Sequence, residues 1–165
     1  MLSAALTRVL TTPAFIAADF VLTHWDSAER KAKFANTLMR FIADDFPRSK
    51  FHNAFYQRLS NTFGHIAHYD LVGFYEHFFL TAEDKLEFLE QCVTWPCHGD
   101  PTTTHSDVER AVVARLTQSQ IVTCLSSQIA VERRRKELAP LSELKARYEP
   151  IAASPVTAEI PDLFG

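Results

Sequence analysis

Glycine is scarce in this chain, at 4 of 165 residues, against a usual share of about 7%. Few positions are then free to take a positive φ, which argues against a fold of tight hairpins. Cysteine is scarce as well. The three present, Cys92, Cys97 and Cys124, are odd in number and irregular in spacing, unlike the disulfide framework of a secreted domain. No apolar run approaches the roughly 18 residues of a membrane span. The most apolar early stretch, residues 14–22, is broken by Asp19 and preceded by a single base, Arg8, so the basic start of a signal peptide is weak. A cytoplasmic chain with reduced thiols and no membrane partner is expected. A large excess of one charge is also missing. A net charge of −3 excludes a polycation that coats nucleic acid in bulk. There is no Gly-rich phosphate loop and no Gly-x-Ser-x-Gly elbow.

What is present points to helices. Hydrophobic residues make up 47% of the chain and phenylalanine alone contributes 13, enough for a buried core without disulfides or metal. Asp26-Ser27-Ala28-Glu29 offers capping oxygens and early acids. Phe34, Leu38, Phe41 and Ile42 follow at helical spacing, with Arg30, Lys31 and Lys33 opening the wet side and Pro47 ending the run. Phe51, Phe55, Leu59 and Phe63 step strictly by four, and Gly64 stands where a left-handed cap would end that helix. Short helices are expected from about Asp70 to Phe79 and from Thr81, the latter with Leu86, Leu89 and Val93 inside. Residues 96–106 read as a loop. Ser106 to Glu109 reads as a capping box. A further helix is expected from Ser119 to Leu138, interrupted by Pro140, with a short one from Ser142 to Tyr148. The expected fold is all-α: a single compact domain of five to seven helices over residues 1–150, with a Pro-containing extended tail over 151–165.

Charge is uneven along the chain. Residues 26–58 carry seven bases against four acids, residues 70–90 six acids against one lysine, and residues 106–137 six bases against four acids. Such blocks are either helices pairing opposite faces or a basic surface.

Four groups of residues have the chemistry for a site. His65, His68, Asp70 and His77 concentrate imidazole and carboxylate in a short aromatic segment. On a helix His65 and His68 would share a face and could hold a divalent metal such as zinc. The bland alternative is histidine hydrogen-bonded at an aromatic edge. Cys92, Cys97, His98 and His105 have zinc-binding chemistry but irregular spacing. The loop from Cys97 to His105 would join the two groups if it folded over the first. Arg133, Arg134, Arg135 and Lys136 form a basic run in what reads as the last turn of a helix, where cations favour the macrodipole. Joined by Arg30, Lys31, Lys33, Arg48 and Lys50, they could instead meet phosphate or an acidic partner. His52, Asn53, Tyr56, Gln57, Arg58 and Asn61 line the polar side of the phenylalanine helix and could read a ligand.

No complete catalytic set emerges, so enzymatic activity stays open. The favoured expectation is a small regulatory or interaction protein, of the accessory kind in a bacterium or phage, that meets another protein or itself through a helical surface. A metal-binding protein or metal-dependent enzyme using His65, His68 and His77 is the first alternative. A nucleic-acid-binding protein using Arg133 to Lys136 is the second.

Overall fold

The computed structural model describes residues 2–64, 66, 70–94 and 99–149. Among them the chain is all-helical, with seven α-helices and no strand. They are α1 (Ala4–Thr11), α2 (Ala28–Ala43), α3 (Asn53–Thr62), α4 (Leu71–Phe78), α5 (Ala82–Thr94), α6 (Ser106–Ser119) and α7 (Ile121–Tyr148). Met1 to Ile129 form one compact unit, and a second begins at Ala130.

Within the first unit, α6 packs against α1, α2, α3 and α5. The phenylalanines supply the filling. Phe41, Phe46, Phe51, Phe55, Phe74, Phe78, Phe79 and Phe88 are all buried, and their rings meet in edge-on, tilted and stacked pairs. Each such ring removes a large apolar area from water, and the pair geometry adds about 0.5–1.5 kcal/mol per contact beyond area.

Scarce glycine is met by other residues at left-handed positions. Among the described residues no glycine has a positive φ, whereas Asp45, Phe46 and Gln120 do, at 66°, 57° and 54°. Asp45 and Phe46 end α2 in a Schellman motif. The Phe46 N–H reaches the Phe41 carbonyl at 2.9 Å and the Asp45 N–H reaches that of Ile42 at 3.1 Å. The accompanying hydrophobic contact is Phe41 against Phe46, centroids 5.4 Å apart. A phenylalanine in this region is strained. It is held there by its buried ring and by the Tyr75 hydroxyl, which donates to its carbonyl at 2.8 Å.

Several sequence expectations need correction. Gly64 is not a left-handed cap. A Cβ there would sit 3.2 Å from the Ser60 carbonyl oxygen, so close approach is what it permits. Ser27, not Asp26, caps α2, its hydroxyl accepting from the Arg30 N–H at 3.2 Å. Ser106 lies inside α6 and makes no capping box: its hydroxyl donates to the Gly99 carbonyl at 2.7 Å and its N–H donates to the Thr104 hydroxyl at 3.3 Å. The first helix, α1, has no counterpart among the expected elements. Its signals are the Ser3 cap and the buried pair Leu6 and Leu10. Pro140 does not interrupt α7, which runs through it to Tyr148.

Candidate functional site

Polar chemistry gathers where the start of α2, the middle of α3 and the loop before α6 meet. Lys31 has no exposed surface at all. Its Nζ donates to both carboxylate oxygens of Asp107 at 3.0 Å, to the Pro101 carbonyl at 3.2 Å and to that of Thr104 at 3.5 Å. Asp107 also accepts from the Val21 N–H at 2.8 Å. One buried cation thus ties α2 to α6 and fixes the loop that leads into α6. Expected on the wet side, Lys31 is buried because it sits three residues before Phe34 and seven before Leu38, in the inner stripe of α2.

Beside it lies a second network. Arg58 on α3 places Nη1 and Nη2 at 2.8 and 3.1 Å from the two oxygens of buried Asp26. His105 Nε2 lies 3.2 Å from the same carboxylate. Burial acts to raise the Asp26 pKa, but the hydrogen bonds and charge of Arg58, joined by His105, outweigh it and hold the carboxyl below its ordinary value of 3.8.

A groove of about 450 Å³ opens over this network between α2 and α3, lined by Arg30, Lys33, Phe34, Thr37, His52, Ala54, Phe55 and Arg58. Three of its eight lining residues are cations and none is an acid. His52 caps α3, its Nδ1 accepting from the Phe55 N–H at 3.3 Å. Neutral His52 therefore carries its proton on Nε2. Arg58 enters the groove already oriented from behind by Asp26.

The residues read from sequence fall in several places. His65 and His68 lie outside the described residues, as do Cys97 and His98. Asp70 caps α4, accepting from the Gly73 N–H at 2.7 Å. His77 stands two turns further along α4, its Nε2 4.0 Å from Glu87. Seven helical residues separate Asp70 and His77 by about 10 Å along the axis, so these two do not meet. Among the described residues no three His, Cys, Asp or Glu side chains converge as a metal site. Cys92 is a buried core thiol whose pKa is pushed well up by burial, with the charge of Glu109 acting in the same direction. His105 and its loop turn to Asp26 and Lys31.

The basic run has a different setting from the one expected. Arg133 to Lys136 lie in the middle of α7, whose last-turn bases are Lys145 and Arg147. Arg135 pairs with Glu132 at 2.7 Å. From Ala130 to Glu149 every residue is exposed except half-buried Glu132. Five large apolar side chains stand among them: Val131, Leu138, Leu141, Leu144 and Tyr148, each 49–71% exposed. Among the described residues no helix is long and apolar enough to cross a membrane.

No protein-family model matches the chain, and no curated protein or solved structure matches it significantly.

Proposed function

We propose that the chain is an interaction protein that seats an acidic amphipathic helix of a partner on residues 131–148 of α7. The observation carrying this reading is the apolar stripe. Val131, Leu138, Leu141 and Tyr148 fall at heptad seam positions, with Leu144 at their flank. An exposed cluster of large apolar side chains rimmed by charge is the usual mark of an interaction surface. The two remaining seam positions hold Arg134 and Lys145. A second copy of this helix would set like charges against each other, Arg134 on Lys145 when antiparallel and each on itself when parallel and in register. Such juxtaposition disfavours self-pairing. A partner with acids at those two levels removes the conflict. The segment's six bases against three acids favour the same choice.

The test uses the full chain and a synthetic helical peptide with leucine at heptad positions and glutamate opposite Arg134 and Lys145. Fluorescence anisotropy should show saturable binding. Covering two half-exposed leucines contributes about 1 kcal/mol each, so Leu138→Asp with Leu141→Asp should weaken binding about thirtyfold. Arg134→Glu should weaken it and a lysine-bearing peptide should restore it. Absence of saturable binding, or binding untouched by the leucine pair, sinks the proposal. A concentration-dependent dimer that the same substitutions abolish assigns the stripe to a second copy instead.

A further inference from the structure

The groove between α2 and α3 has the dimensions and lining of a ligand site, and it is independent of the α7 stripe. We infer that it binds a small organic phosphate, with the phosphate held by Arg30, Lys33 and Arg58 and the organic portion directed toward Phe34 and Phe55.

Charge decides the class of ligand. Three cations line the groove and no acid does. Glu29, beside Arg30 at the start of α2, is exposed and does not line the groove, and buried Asp26 is shared between Arg58 and His105. Arg58 is therefore pre-oriented, which lowers the ordering cost of a bound anion. Two Arg58 N–H groups, on Nε and Nη2, have no partner among the described residues after the Asp26 and Arg30 contacts are counted. A guanidinium offering spare donors suits the multiple oxygens of a phosphate better than a single-point acceptor does. Arg30 and Lys33 are three residues apart on α2 and reach over the same side of the groove. His52, at the start of α3, adds a polar side chain to the wall. The floor is apolar, since Phe34 and Phe55 are 4% and 3% exposed with their centroids 5.8 Å apart. A volume of about 450 Å³ lies within the usual range of small-molecule sites.

Calorimetric titration of the full chain with phenyl phosphate, inorganic phosphate and phenol tests the inference. Phenyl phosphate should bind saturably and more tightly than inorganic phosphate, and phenol should not bind. Arg30→Ala with Lys33→Ala removes two exposed side chains outside the buried networks, so the fold should persist, as checked by an unchanged circular dichroism melt. Phenyl phosphate affinity should fall about tenfold or more in that variant. Arg58→Lys keeps the charge and loses the fork, and should also weaken binding. Equal affinity for phenyl phosphate and inorganic phosphate overturns the role given to the phenylalanine floor. No binding of phenyl phosphate, or binding unchanged in the double variant, overturns the site. A single-stranded oligonucleotide that outcompetes phenyl phosphate, and loses affinity in the same variant, replaces the small ligand with nucleic acid.

Discussion

Replacing Lys31 with methionine isolates what the buried cation contributes. The two side chains have similar length, so packing changes little and the charge is the main variable. Lys31 is wholly buried, and its ammonium is the counter-charge to an Asp107 carboxylate whose own side chain is only 11% exposed. Removing one member of a buried pair typically costs about 3–5 kcal/mol, because an uncompensated charge is left behind. Asp107 would keep the N–H groups of Val21 and Val108, at 2.8 and 2.9 Å, which places the expected loss at the lower end, about 3 kcal/mol. For a chain of this size that corresponds to about 10 °C in Tm. Urea titration followed by far-UV circular dichroism should show a lower midpoint with the slope unchanged. Lys31→Met with Asp107→Leu removes both charges and should be less destabilised than the sum of the single changes, by about 2 kcal/mol. A Lys31→Met variant within about 1 kcal/mol of the parent, or strict additivity in the double variant, would refute the reasoning.

Two further outcomes follow from the same physics. Asp26 has a depressed folded pKa, so its contribution to stability is full above its ordinary value of 3.8 and is lost as pH falls through the folded value. The stability gap between the parent and Asp26→Asn should therefore be widest near neutral pH and shrink below about pH 4. A gap independent of pH in acid-unfolding curves would dismiss the ion network. At Gln120, φ is 54° between α6 and α7. Gln120→Gly relieves a left-handed conformation that costs about 1–2 kcal/mol, less the entropy that glycine adds to the unfolded chain, so a net gain of about 0.5 kcal/mol is expected. Thermal melts showing Gln120→Val to be as stable as Gln120→Gly would contradict the strain.

Helix starts and the aromatic core were legible because they rest on local spacing. Thr81 and Asp84 cap α5 reciprocally, at 3.1 and 2.9 Å, and Phe51, Phe55, Leu59 and Phe63 are all buried. The structure departs from local spacing where a residue's local preference loses to a distant partner. Asp26 looks like a cap in sequence and Asp107 sits within the expected capping box, but each is committed to a cation from another helix. Their partners, Lys31 and Arg58, carry side chains that sequence convention puts in water. Extending the Phe34–Leu38 stripe back one turn lands on Lys31, so its burial had a signal that its charge concealed. Pro140 departs from its local preference for another reason. Proline removes one N–H and crowds the preceding turn, yet α7 continues through it. That continuation moves Arg133 to Lys136 away from the helix end and removes the dipole as their explanation.

The cationic groove on a chain of net charge −3 is a consequence of where the acids go. The segment 70–90, which holds α4 and most of α5, carries six acids against a single lysine. Around the start of α2 two acids turn inward while Glu29 stays exposed. Asp26 is shared by Arg58 and His105, and Asp107 is consumed by Lys31. Arg30 and Lys33, on either side of Lys31 in sequence, stay exposed. Burying Lys31 at the inner position of α2 draws Asp107 inward to match it, while its two neighbours are turned outward by helical rotation of about 100° per residue. The buried ion pairs and the open cationic groove are therefore two faces of one helix register. A one-residue shift of that register would expose Lys31, orphan Asp107 and close the groove together.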